Sequence, residues 1–535
     1  MKINKFTSLF ATCLLMGLTA CSNDNVSDAD SNNSAENKDL TGKTSFSITS
    51  EAKTRTSGVY DGSGVDFYWT TNDNIWVNSG SATSPTLTAS SSNNITSTTA
   101  SAKFYFDGTY TAESYPVRYT GNANTSGNTV TIATSQNQDV ANNATQLGTV
   151  GDCGVGTATR QTDGSYKFTL SHEASYITFM PYYSKEELAA SAVVTQINVT
   201  AANGESLAGK FNFSDNGLGT AISSSSSNSV TLTLNGTSST TGFPIPTTAT
   251  ASKNAAIMVV APGTYSTFKV TYTLYDSVTG TESTISYTYS NINCTAGKNQ
   301  KISTDLGMAT YTSRKSNYYM WDAKSNYWNG VETSQPLLNN AVNTNYAKSS
   351  ADSRWYNTAF TKNVQTKAIN SCKDQPTFEA LTWYIEGGSP QVDNKTLWVF
   401  ANHLYAGGIW IKKQSKIPGF ISTMSYPSAF TWNLGKDIPY SVPISGKPKA
   451  SVRSSYFYLP ALGKYVDGKL TGLGVSGYYW ASTPNPVNNG DRSAGYGKVI
   501  SANCLRFTID DTNADNVFVR SYYERYVGMQ VQKFE

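Results

Sequence analysis

Cys21 is the first residue placed to do chemistry: it closes Leu18-Thr19-Ala20-Cys21, after basic Lys2 and Lys5 and an apolar run from Phe10 to Leu18. Small residues before a cysteine suit a signal peptidase, and Cys21, once diacylated on its thiol, would become the new N-terminus and a membrane anchor. The apolar run is too short to cross a bilayer. Residues 1–20 are therefore expected to be a lipoprotein signal peptide, with the precursor held in an outer membrane through the lipid on Cys21. Ser22-Asn23-Asp24-Asn25 and the acidic residues just after it favour export onward to the cell surface.

The second chemistry-bearing group lies near the other end. Tyr478, Tyr479 and Trp480 precede Asn485, Asn488, Asn489, Asp491, Arg492 and Tyr496, and Arg520, Tyr522, Tyr523 and Arg525 follow. Tyr and Arg bring large contact area at modest entropic cost, and Asn offers both donors and acceptors. This stretch is the candidate ligand-binding face. Trp480 fits the core better, with Gly477 fixing a turn, whereas Asn488, Asn489 and Arg492 are hard to bury.

Catalytic chemistry finds less to work with. The two histidines, His172 and His403, fall in different proposed domains, which leaves no Ser/His/Asp array or metal cluster. His172 sits on an alternating strand and reads as a hydrogen-bonded, partly buried side chain. Glu379, Glu386 and Asp393 show no paired arrangement. Asp374-Gln375-Pro376-Thr377 only echoes a calcium loop, and Asp510, Asp511 and Asp515 read as a solvated loop. No metal, cofactor or enzymatic activity is assigned. Charged residues make up 14% of the chain and the net charge is +3, without a Lys/Arg block interleaved with aromatics, which argues against nucleic acid. Cys153, Cys294, Cys372 and Cys504 match no zinc spacing; an oxidising exterior permits disulfides, and Cys372 and Cys504 could pair within one domain.

The elements that must position these residues are mostly strands. Ser, Thr, Asn, Gly and Tyr are abundant, as exposed sheets with many turns require. Residues 21–43 are too polar to fold and read as a flexible tether. From residue 44 to 160 short alternating runs such as Phe46 with Ile48, Phe67 with Trp69, and Lys103-Phe104-Tyr105-Phe106 predict strands, and Pro116 suggests a strand edge or start. Residues 161–308 contain the clearest hairpin, Phe268 to Leu274 returning as Ile285 to Tyr289, and a serine run, Ser223 to Ser229, read as a mobile loop. Residues 309–535 form a third, aromatic-rich domain with one short helix expected over Thr377 to Glu386.

Residues 44–308 resemble the fimbrillin family of type V pilins. The resemblance rests on Phe46-Ser47-Ile48, Thr54-Arg55-Thr56, Phe67-Tyr68-Trp69, Asp73-Asn74-Ile75-Trp76-Val77, Tyr115-Pro116, and Phe168 to His172 with Ile177. Residues 309–535 resemble the C-type-lectin-like domains of pilus tip subunits, through Ser371-Cys372-Lys373-Asp374-Gln375-Pro376, Tyr456-Phe457-Tyr458-Leu459-Pro460-Ala461 and Gly477-Tyr478-Tyr479-Trp480-Ala481-Ser482-Thr483-Pro484. The family's closing arginine is replaced by Lys533 before Phe534-Glu535. Together these imply a mainly β chain: two tandem transthyretin-like β-sandwich pilin domains followed by an α+β C-type-lectin-like head.

The fimbrillin resemblance further implies trimming after a basic residue, best at Arg55 and next at Lys53, which would free the Phe46 strand. A strand from another pilin subunit would fill the slot by β-strand addition. Continuation of the chain into a head implies a fimbrial tip adhesin that binds a host or bacterial surface glycan or protein. The alternative is a surface glycan-binding lipoprotein that never polymerises and keeps its first strand.

Overall fold

Phe46 and Ile48 point one way and Ser45 and Ser47 the other, and this alternation forms the strand Lys43–Ile48. It is the first strand of a computed structural model that describes residues 40–48, 57–62, 64–122, 125–236, 241–358, 367–427, 438–439, 443–484, 501–509 and 517–534. The chain divides into Met1–Gly42 and Lys43–Glu535, and the architecture below is that of the second unit. It is mainly β, with many sheets and few short helices.

The first sheet runs Leu87–Ala89, Trp76–Asn78, Ser114–Tyr119, Gly154–Arg160, Tyr166–Phe168, Lys43–Ile48, Lys103–Asp107, Ser92–Asn93. Phe46, Val77, Phe104, Phe106, Tyr166 and Phe168 from its strands pack into one core with Trp69. Pro116 lies in an interior strand rather than at an edge. It faces Thr157 on one side, and the neighbour on the other side, Trp76–Asn78, pairs only with Arg118 and Val117, so the missing N–H costs no ladder bond.

Sheet pairing does not respect residue 160. Tyr166–Phe168 and Leu170–His172 pair with Gly154–Arg160 in the first sheet. Thr129–Ile132 pairs with Gly209–Ser214, and Ser135–Gln138 runs parallel to Ser229–Leu234, both in the second body. The two halves are therefore interwoven. Arg118 clamps them: its buried guanidinium pairs with Asp215 at 2.6 Å and donates to the carbonyls of Gly127 and Phe213.

The second body shares one core between two sheets. Its hairpin, Gly263–Asp276 with Thr281–Cys294, turns between Asp276 and Thr281, and Phe268, Val270, Tyr272 and Leu274 are all fully buried. The serine run is ordered, as a short helical turn Ser223–Ser225 leading into strand Ser229–Leu234. The smaller sheet ends at Ala256–Val260, whose outer backbone groups are met by side chains. Gln136 donates to the Val259 carbonyl at 2.8 Å and accepts from its N–H at 2.9 Å, and Gln138 accepts from Ile257 N–H while donating to Ala255 O.

In the third segment the helix Phe378–Glu386 is capped by Thr377, whose hydroxyl accepts from the Ala380 amide at 3.2 Å. Burial covers Phe378, Leu381 and Trp383 and also Thr382, Tyr384 and Ile385, since the helix sits between sheet and loop. It packs on Ser476–Pro484, Ser501–Thr508 and Val517–Glu524. Gly477 fixes no turn; it lies within Ser476–Pro484 opposite Phe507, where a Cβ would meet that ring at 2.2 Å. Leu397, Val399 and Leu404 join the second body's core, so the head is seated on the hairpin. Cys153, Cys294, Cys372 and Cys504 are all buried, with no disulfide among the described residues. Cys372 and Cys504, whose pairing the sequence leaves open, lie in one apolar cluster without a bridge between them, and Cys372 Sγ accepts the Asp322 N–H.

Candidate functional site

The Lys43–Ile48 strand is held on both sides. It pairs antiparallel with Lys103–Asp107, Phe46 opposite Phe104, and parallel with Tyr166–Phe168, Phe46 opposite Tyr166. The Phe46 ring lies 4.6 Å from Tyr166, 4.9 Å from Phe106 and 5.4 Å from Tyr110, in a socket closed by edge-to-face and stacked contacts. Ser47 donates to the Tyr166 carbonyl and Ile48 N–H to the Ala102 carbonyl. Without this segment two neighbours would expose unpaired backbone and an aromatic pocket. The strand is therefore an interior member of its sheet, paired on both edges. Lys53 and Arg55 lie outside the described residues, as does Cys21.

The expected recognition face divides. Adjacent strand residues point to opposite sides, so Tyr478 and Tyr479 cannot share one surface. Tyr479 faces the helix, fully buried, with its ring stacked 6.2 Å from Phe507 and its hydroxyl donating to the Pro460 carbonyl at 2.6 Å. Arg525 is also interior: its guanidinium lies 4.4 Å over Trp321, its Nε donates to Ser501 O, and burial pulls it down to about 10. These two positions leave the recognition set. Trp480 is core, donating from Nε1 to the Tyr319 carbonyl.

Tyr478, Tyr523 and Arg520 come together on the face opposite the helix. Tyr478 and Tyr523 meet at 90° with centroids 5.6 Å apart, and Arg520 lies 4.8 Å over the Tyr523 ring. Burial raises the Tyr523 hydroxyl well above the ordinary tyrosine range. Sequence reading missed three residues that complete this face, Lys464, Arg506 and Phe518. The available signal was alternation: Arg506 is two residues from Cys504 and lies beside Tyr478 on one strand neighbour and Phe518 on the other. Asn485, Asn488, Asn489, Asp491, Arg492 and Tyr496 lie outside the described residues, as does the side chain of Tyr522.

Both histidines have structural partners. His172 Nδ1 is 2.8 Å from Asp152 Oδ1 and its ring stacks on Phe67, at the seam between the first two bodies. His403 Nδ1 is 3.0 Å from Asp276 Oδ2, at the seam with the head. A cleft of about 630 Å³ lies between the hairpin and the head, lined by Ile285, Met308, Asp393, Lys395, Leu397 and Lys447. Asp393 is saturated there by Trp410 Nε1, Thr396 Oγ1 and two backbone amides. Burial pushes its carboxyl up and those donors outweigh it, so it is held below the ordinary range and suits a structural role better than proton transfer.

No family model matches the chain, and no curated protein matches it. Among solved structures, it is similar to a "putative cell adhesion protein" from Bacteroides uniformis, with 12% identity and a TM-score of 0.29 over 49% of this chain and 93% of that one. A second such protein, from Bacteroides ovatus, matches with 12% identity and a TM-score of 0.29 over 50% and 92% of the two chains. A fimbrial protein from Bacteroides ovatus matches with 12% identity and a TM-score of 0.23 over 56% of each. At these scores the likeness carries no argument about function.

Proposed function

We propose that the chain is a fimbrial tip adhesin, exported as a lipoprotein through Cys21 and trimmed near Arg55. It assembles by accepting another pilin subunit's strand, and residues 309–535 bind a host or bacterial surface ligand. The reading is carried by the position of Lys43–Ile48, inserted between two strands of its own sheet rather than added at an edge. Its loss would open two backbone ladders and the Phe46 socket at once, which is what strand addition needs. Seating of the head on the second body through Leu397, Val399 and Leu404 supports a rigid, outward-facing binding end.

The test is the N-terminus of the chain in isolated surface fibres, by mass spectrometry. A start at Thr56, lost in Arg55→Ala together with fibre incorporation, is expected. Fibre-bound chains that still begin at Cys21 and keep Phe46 paired in their own sheet would overturn the proposal. Chains that never enter fibres would favour the non-polymerising lipoprotein.

A further inference from the structure

On the head, one sheet face gathers cations and aromatic rings. Lys464 Nζ lies 4.4 Å over the rings of both Tyr478 and Tyr523 and donates to the Tyr523 hydroxyl at 3.3 Å. Arg506 lies 4.9 Å over Phe518 and 5.8 Å from the Tyr478 centroid. Arg520 covers the outer side of Tyr523. Among the described residues no carboxylate pairs with Lys464 or Arg506, and the buried Nε of Arg506 meets no acceptor. The rings are nearly covered, while all three cations are half-buried.

Gathering like charges in a partly desolvated place costs free energy that ring quadrupoles only partly offset. Burial, with smaller contributions from Arg506 and Arg520, holds the Lys464 ammonium below its ordinary range. A bound oxyanion would meet both cations and offset their mutual repulsion. The aromatic rims around it match the C–H face of a sugar ring better than the densely charged, flexible side chains of an acidic peptide.

We infer that Lys464, Arg506 and Arg520, framed by Tyr478, Phe518 and Tyr523, form a binding site for an acidic saccharide, recognised through its carboxylate or sulfate group. The inference rests on the proposed adhesive role of the head and gives its ligand a chemistry. Attraction of this kind weakens as salt rises, because the charges remain partly solvent-exposed.

The test is calorimetric titration of the full chain with lactose, 3′-sialyllactose and lactose 3′-sulfate, three probes that share the lactose core and differ in carrying no anionic substituent, a carboxylated sugar or a sulfate. One or both anionic sugars should bind at least about tenfold more tightly than lactose, and the preferred one identifies the group. Lys464→Met and Arg506→Gln should each weaken that binding about tenfold, while Lys464→Arg retains it. Unchanged thermal unfolding certifies that each variant is folded. Equal affinity for lactose, no binding of either anionic sugar, affinity indifferent to these substitutions, or tighter binding of polyglutamate through the same residues would each overturn the inference. A chain that enters fibres normally yet ignores the anionic sugars refutes this site and leaves strand addition standing; one that binds them but never enters fibres does the reverse.

Discussion

Phe46 and Tyr166 stack face to face across a parallel strand pair, with ring centroids 4.6 Å apart and planes 9° from parallel. The contact ties the strand nearest the N-terminal segment to one that follows it by more than a hundred residues in the chain. A strand held by such a contact leaves a matching vacancy when it leaves.

Phe46→Ala should destabilise the unprocessed chain by about 3–5 kcal/mol, the usual cost of emptying an aromatic core site. Denaturant unfolding of the precursor measures it. Subunits taken from fibres should be unaffected by the same substitution, since the proposed trimming removes that residue. Equal sensitivity before and after assembly would contradict strand replacement.

Gln136 and Gln138 act as a surrogate strand for Ala256–Val260. Replacing Gln136 by Leu strands the Val259 N–H and carbonyl away from water, at a cost of about 1–3 kcal/mol. Hydrogen exchange should speed up selectively at the Val259 amide, while Ile257, held by Gln138, responds only to Gln138→Leu. A uniform change across the sheet would instead mean that packing, not backbone satisfaction, is the role of these side chains.

The ion pair between Arg118 and Asp215 is buried on the arginine side and joins the first two bodies. Asp215→Ala should cost about 3–5 kcal/mol because it leaves an uncompensated guanidinium. Arg118→Met combined with Asp215→Leu should recover much of that loss. A double-mutant cycle reads the coupling, and additive effects would show that the pair contributes nothing of its own.

Acid should loosen the seam under the head. Burial pushes the Asp276 carboxyl up, but the Leu404 amide, Ser191, His403 and the Val278 amide outweigh it and hold it below the ordinary range. A carboxyl depressed on folding contributes stability that is fully present above its unfolded value of about 3.9 and is lost as pH falls through the folded value. Thermal stability should therefore drop below about pH 4, and Asp276→Asn should flatten that drop while lowering stability at neutral pH. An unchanged acid slope in the variant would remove Asp276 from the account, with Asp393 the next carboxyl to test.

Period-two alternation made much of the fold legible. The Gly263–Asp276 and Thr281–Cys294 hairpin, the Lys43–Ile48 strand and the Phe378–Glu386 helix could all be read from residues within one element, because burial of one face is a local pattern. The same alternation, applied strictly, separates Tyr478 from Tyr479, and composition alone had grouped them.

Residue types and local spacing determined that this is a strand-rich chain and that Phe46 and Ile48 would be buried together. Tertiary structure alone decided that strands cross residue 160, that Arg118 finds Asp215, and that Lys464 reaches Tyr478 and Tyr523. These depend on pairing between segments far apart in sequence. The free energy of that pairing belongs to edges and charges satisfied in three dimensions, which no local window of residues encodes.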